Sequence, residues 1–322
     1  MTDMRTPDLT AAVELARLAP SVHNTQPWRF RVTNGALELY ADRDRQLQVL
    51  DPEGRQLVMS CGTALFHARL ALRLQGFDAD VTAGDEIYGD FLARLQPRAG
   101  APATPEERSL GAAATNRHTQ REPFTDKQVA DDTLKAISLA VEGEGAWVRL
   151  LSGPNEQLPV IVLLSHADEL EDRDEAYREE VSEWTKRPES ARDGIPAGVI
   201  PRGVRSRMSN LPVRDFALEG TSPEGIADQG IVERPLVTVI GTGGDALDDW
   251  LTAGQALAHL LLRAVVDGVQ ASPLGQVVDL PATRERLGRE LGTIGFPQMV
   301  LRMGYAEPGQ VTPRRELDEV LA

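Results

Sequence analysis

The 322-residue chain has one cysteine, Cys61, which excludes an internal disulfide and leaves no cysteine cluster for zinc. The stretch around it, Val58-Met59-Ser60-Cys61-Gly62-Thr63-Ala64-Leu65, is apolar enough to mark a packed core thiol rather than a nucleophile. Basic residues are in deficit: 34 lysines and arginines against 49 acids leave a net charge of −15. Nucleic acid and anionic membrane surfaces are therefore poor partners, since both call for a basic footprint. No apolar run approaches the length of a membrane span, and Met1–Arg5 lacks a signal core, so a cytoplasmic protein is expected. Familiar catalytic motifs are missing as well. Gly241-Thr242-Gly243-Gly244 lacks the third glycine of a dinucleotide loop, and there is no Walker loop, H-E-x-x-H or G-x-S-x-G. Neither a metal centre nor a side-chain nucleophile is expected.

What is present is concentrated in a few places. In Ala19-Pro20-Ser21-Val22-His23-Asn24-Thr25-Gln26-Pro27-Trp28-Arg29-Phe30, a helix carrying Leu9, Val13, Ala16 and Leu18 runs into a proline stop. A strand follows from Trp28 to Val32. Between them lie a hydroxyl (Ser21), an imidazole (His23) and two carboxamides (Asn24, Gln26). Amides both donate and accept, so the set suits the rim of a planar heteroaromatic ligand. The plainer reading is a turn in which Ser21 and Asn24 bond the local backbone.

A protein this acidic that binds a phosphorylated cofactor must gather its arginines locally. Asn116-Arg117-His118-Thr119-Gln120-Arg121-Glu122-Pro123-Phe124 does so. In an extended segment Arg117, Thr119 and Arg121 project to one side and His118 to the other. Two guanidinium forks and a hydroxyl fit one phosphate, although the pattern alone also describes a solvated strand.

The chain repeats itself. Gly62-Thr63-Ala64-Leu65-Phe66-His67, continuing to Gly76 and Ala79, matches Gly254-Gln255-Ala256-Leu257-Ala258-His259, continuing to Gly268 and Ala271, without a gap. Each copy reads as a long apolar helix ended by glycine, with His67 and His259 as packing or capping residues. A weaker echo aligns Leu15–Val32 with Leu134–Leu151, tryptophan on tryptophan (Trp28, Trp147). Two repeats suggest a pseudo-dimer rather than a solenoid, with units 1–100 and 101–322. Residues 183–235, rich in proline, glycine and charge, lie between an expected helix Asp168–Thr185 and a strand Pro235–Gly241. They read equally as a linker or as a lid.

The run Pro20-Ser21-x-x-Asn24-Thr25-Gln26-Pro27-Trp28 resembles the nitroreductase-like flavoproteins, and within them the actinobacterial Acg group. The resemblance implies that this loop, His23 included, reaches the isoalloxazine ring of FMN. It implies that Arg117, Thr119 and Arg121, with threonine in place of a usual serine, hold the FMN phosphate. Met299-Val300-Leu301-Arg302-Met303-Gly304-Tyr305 followed by Thr312-Pro313-Arg314-Arg315-Glu316-Leu317 is similar to the family ending. Arg314 would then reach the same phosphate, while Arg315 is expected at the surface. The turn Pro273-Leu274-Gly275-Gln276 would place the Gly275 backbone near flavin N5. The fold implied is α+β and nitroreductase-like, two fused sheet-plus-helix repeats forming a pseudo-dimer. The function implied is hydride transfer from NAD(P)H through one FMN to a nitro, quinone or related small aromatic acceptor, in a monomer. The alternative is an FMN store whose lidded flavin turns over little.

Overall fold

The computed structural model describes residues 6–84, 89–188, 190–200, 211, 216 and 233–322. Helix α1 (Leu9–Ala16) starts on Asp8, whose carboxylate accepts from the Ala11 N–H at 3.0 Å. After the loop at Pro20–Pro27, strands β1 (Trp28–Thr33) and β2 (Ala36–Ala41) form a hairpin. Asn34 and Gly35 close it with φ of 50° and 70°, the left-handed backbone that a two-residue turn requires. The long helix α2 (Arg55–Leu74) begins where Asp51 accepts from the Gln56 and Leu57 N–H groups. It ends at Gly76, and β3 (Phe77–Ala83) and β4 (Phe91–Ala99) complete an antiparallel sheet of order β1-β2-β4-β3.

The second unit retraces this path. It opens with α3 (Pro105–Ala113), held by a Thr104/Glu107 capping box, and α4 (Asp131–Gly143). Next come β5 (Trp147–Leu151), α5 (Pro154–Arg173), α6 (Glu175–Thr185) and β6 (Leu236–Thr242). Long helix α7 (Leu247–Val266) then leads through Gly268 to β7 (Val269–Pro273) and short α8 (Gln276–Asp279). The chain closes with α9 (Pro281–Glu290), β8 (Phe296–Tyr305) and α10 (Leu317–Val320). Its sheet has the order β5-β6-β8-β7, so the two fused sheet-plus-helix units share one topology, each with a bulge in its second strand. Trp28 and Trp147 both open a first strand.

One expectation needs correcting here. The helix read over Asp168–Thr185 is split: Asp174 leaves helical geometry and caps α6 by accepting from the Tyr177 N–H at 3.2 Å. An aspartate that can bond forward to its own backbone competes with helix continuation. The candidate lid lies largely outside the described residues, and only its ends, Leu211 and Phe216 can be placed. Helix α2 is long and apolar enough by composition to cross a membrane, but most of it is buried within the protein. Cys61 is buried there, its thiol 3.1 Å from the Pro27 carbonyl, and burial pushes its pKa up, as a core thiol requires.

Helices α2 and α7 pack against each other at the glycines that the two repeats have in common. A Cβ on Gly62 would lie 3.0 Å from the Gly254 Cα, and one on Gly254 would lie 2.9 Å from the Gly62 Cα and inside contact of the Met59 carbonyl. Neither obstacle is a flexible side chain, so the helices approach only because both positions lack a side chain. The chain also crosses between units at its edge, where Leu321 bridges to Phe30 beside β1; within the second unit Thr119 bridges to Ala271 beside β7. Gly254→Ala should therefore cost about 1–3 kcal/mol, read as a lower urea midpoint at unchanged slope. A variant as stable as the parent would mean that the helices part without penalty.

Candidate functional site

The loop after α1 carries strained backbone. His23, Asn24 and Gln26 have φ of 44°, 56° and 50°, three of the four non-glycine residues with positive φ among the described residues. Such geometry persists only where the surroundings hold it. Ser21 Oγ accepts from the Gln26 N–H at 2.9 Å, and Ser60 Oγ on α2 accepts from the Val22 N–H at 3.1 Å. Thr63, one turn further along α2, donates to the Pro20 carbonyl at 2.6 Å. Trp28 is fully buried immediately after the loop.

The two carboxamides read as ring contacts are engaged with the protein itself. Asn24 Oδ1 accepts from Arg314 Nη1 at 3.1 Å, and its Nδ2 donates to the Pro313 and Gly194 carbonyls. Gln26 is fully buried; its Oε1 accepts from the Arg315 N–H at 2.8 Å and its Nε2 donates to the Arg192 carbonyl. Both thus fasten the C-terminal tail and residues 192–194 to the loop. The His23 ring meets Phe216 edge-on at 5.5 Å, and Phe216 in turn lies 5.9 Å from the Arg121 guanidinium carbon.

Arg117, Arg121 and Arg314 form a cradle of cations. Arg117 is buried and Arg121 and Arg314 are half-buried, and the Nε of all three is buried without a partner among the described residues. Among the described residues none of them pairs with a carboxylate; Arg314 bonds only neutral acceptors, including Thr312 Oγ1 at 2.8 Å and the Leu18 carbonyl at 3.3 Å. Burial and the neighbouring charges of Arg314 and Arg121 push the Arg117 pKa down to about 9. Burial alone pushes Arg121 and Arg314 down to about 10. In a chain carrying 15 excess negative charges, these three guanidinium groups, one buried and two half-buried, have no counter-anion among the described residues.

The cradle is braced from behind. Arg302 on β8 pairs with buried Glu233 at 3.1 Å and donates to the Arg121 and Glu122 carbonyls. Glu233 accepts from the Phe124 N–H at 2.8 Å. Segment 117–121 is extended but makes only the single bridge at Thr119, which is half buried. His118 is also half buried and sits in the field of Arg117 and Arg314, which together with burial lowers its pKa.

The fourth predicted piece follows β7. Pro273 is exposed, and Leu274 packs into a core cluster with Val277 and Val300, so any ligand contact from Leu274 must come from its backbone. Gly275 has ordinary right-handed geometry, and a Cβ there would lie 2.9 Å from Asp279 Oδ2. Close approach rather than turn conformation therefore favours glycine. The Gln276 side chain is committed to Asp168 at 3.0 Å.

Sequence reasoning missed two contributors. Arg315, expected at the surface, is buried and donates to the Gln26 carbonyl, 3.6 Å from Asp42, because the tail folds back onto β1. The second is a polar stripe on α2. Gln56 donates to Asp279 at 2.6 Å beside Gly275, Ser60 and Thr63 hold the loop, and His67 faces the charges of Arg117 and Arg314. Positions 56, 60, 63 and 67 share one helical face over about 16 Å. Polar residues at that spacing in an otherwise apolar helix were the available signal.

These features define an α+β protein of two fused units in which three arginines gather without a counter-anion among the described residues. No family model matches the chain. It is 33% identical over 320 residues to a provisionally named NAD(P)H nitroreductase of Mycobacterium tuberculosis, covering 95% of this chain and 89% of that one. It is 29% identical over 324 residues to the provisionally named NAD(P)H nitroreductase Acg of the same organism, covering 97% and 94%. A solved structure of a provisionally named nitroreductase from Anabaena variabilis aligns over 94% of this chain and 90% of its own, at 11% identity and a TM-score of 0.47. The chain belongs to the NAD(P)H nitroreductase family.

Because the ligand-free cradle carries uncompensated charge, Arg117→Met should raise the melting temperature of the ligand-free protein by roughly 2–6 °C. Millimolar inorganic phosphate should stabilise the parent but not the variant. Equal stabilisation of both would place the anion elsewhere.

Proposed function

We propose that the cradle holds the phosphate of FMN and that the protein is an NAD(P)H-dependent oxidoreductase acting on a nitro, quinone or related aromatic acceptor. The observation that carries this reading is the trio of guanidinium groups at Arg117, Arg121 and Arg314, each with a buried, unpartnered Nε and no carboxylate partner among the described residues. Thr119 would add a hydroxyl, and the strained loop at Pro20–Gln26 and the Gly275 backbone would border the ring. When bound, FMN supplies the hydride-accepting centre, and the chain's own residues grip, orient and shield it. Arg302 and Glu233 fix the strand that carries Arg121, while Asn24 aims Arg314. The arginines come from one segment and one tail, which supports a single site and a pseudo-dimer complete within one cytoplasmic chain.

A second reading, storage of FMN with little turnover, is favoured by one feature. Residues 192–194 and Phe216, all from the candidate lid, lie against the loop that would meet the ring. The two separate on turnover. An enzyme should be reduced by NADH or NADPH in anaerobic stopped-flow mixing and pass electrons to a quinone or nitroarene many times per flavin, near about 10 per second. Slow reduction without acceptor turnover would support storage instead.

Purified protein should carry one FMN per chain and run as a monomer. Arg117→Ala or Arg121→Ala should weaken FMN binding by about 1.5–3 kcal/mol, roughly ten- to a hundredfold, and riboflavin binding far less. Equal losses for both flavins would indicate a folding defect, and two flavins per chain would refute the single-site reading.

A further inference from the structure

We propose that His67 is a fourth ligand of the phosphate cradle, joined to a phosphate oxygen by a proton on its Nε2, so that FMN binds with uptake of one proton. The inference rests on the FMN reading above. His67 is fully buried, and its Nδ1 lies 2.8 Å from the Thr63 carbonyl. A carbonyl can only accept, so Nδ1 bears the hydrogen and the neutral ring presents a bare lone pair at Nε2. That nitrogen is buried and has no partner. A buried lone pair left unmet is costly, and the core here offers it nothing.

Position points the same way. On α2 the polar stripe meets the Gly275 turn at Gln56, the ring loop at Ser60 and Thr63, and the cradle at His67. The residues leading into Arg117, Ala113 and Ala114, pack against Phe66 in the same cluster. The stripe therefore runs from the Gly275 turn past the Pro20–Val22 loop, with the imidazole at the end that lies in the field of Arg117 and Arg314.

The charged groups facing His67 are Arg117 from the segment after α3 and Arg314 from the tail; with burial they push its pKa down to about 3. His118 shares their field. Beyond the Phe66 ring, on α4 and α7, Glu144 is already paired with Arg69 and His259. A phosphate dianion placed among the arginines cancels two positive charges and sets an acceptor oxygen against the Nε2 lone pair. Two acceptors share a contact only through a proton. The balance is neutral His67 plus FMN dianion plus one solvent proton, giving a complex with a single N–H···O or N···H–O bond. Free phosphate monoesters have a second pKa of about 6, so at pH 7.5 that proton must come from the buffer.

The test is isothermal calorimetry of ligand-free protein with FMN at pH 7.5 in buffers of different ionisation enthalpy. The expected result is uptake of close to one proton per FMN and none with riboflavin. FMN affinity should fall about tenfold from pH 7 to pH 8, the slope of one linked proton. Arg117, at about 9, stays charged throughout that range. His67→Gln, whose amide already carries a donor, should bind FMN without proton uptake and with a flat pH profile, whereas His118→Gln should behave as the parent. Nitrogen-15 spectra of histidine-labelled parent protein should show His67 passing from the neutral Nδ1–H form to a ring with both nitrogens proton-bonded when FMN is added, which needs no variant to fold. FMN binding without proton uptake, uptake that survives in His67→Gln, or uptake lost in His118→Gln would overturn the proposal alone. Failure to bind FMN at all would sink the FMN reading together with it.

Discussion

The contact between Gly62 and Gly254 constrains everything around the site. Each glycine sits where the other's helix backbone passes, so α2 and α7 meet at a separation that no side chain permits. That approach fixes the relative position of two sheets of identical strand order. It also leaves a flanking face of α2, along which Gln56, Ser60 and Thr63 meet the Asp279 turn and the Pro20–Val22 loop and His67 lies one turn further on. A wider crossing would shift α2 against β7 and the cradle segment together, and the site would lose its registration before it lost any single contact.

Around that face, stability is spent where binding needs it. Three guanidinium groups keep a buried, unpartnered Nε and no counter-anion among the described residues, and three residues of one loop are held at positive φ. The compensation is local. The tail residue Arg315 satisfies Gln26 and approaches Asp42, Asn24 aims Arg314, and the Arg302–Glu233 pair pins the carbonyls on either side of Glu122's peptide. These polar contacts join segments far apart in sequence, so the cradle is preorganised by the fold rather than by a local motif.

How much of this could be read in advance depended on periodicity and chain proximity. The long helices, their terminal glycines and the Trp-led strands follow from patterns within twenty residues, and they were legible. So was the gathering of Arg117 and Arg121, because their spacing is short. The break at Asp174 was missed because its cap competes with an otherwise helical run, and only tertiary packing decides between them. Arg315 was misplaced because its acceptors lie on β1 and its loop, nearly the whole chain away. His67 looked like any buried histidine until the charges opposite it were known, since a helix cannot announce what the tail will bring to its face.

The two units share a strand order but differ in what lies between their strands. In the first unit β1 and β2 are joined by Asn34-Gly35 alone, whereas the equivalent strands β5 and β6 are separated by residues 152–235. The excursion leaves the strand pairing of the second sheet intact and returns Arg192–Gly194 and Phe216 to the loop of the first unit. That loop has no polar counterpart before Trp147, where the chain reads Val141-Glu142-Gly143-Glu144-Gly145-Ala146. Conversely, the spaced pair Arg117 and Arg121 follows α3 in the second unit. The polar loop of the first unit and the arginines of the second are therefore contributed by unlike halves of one chain.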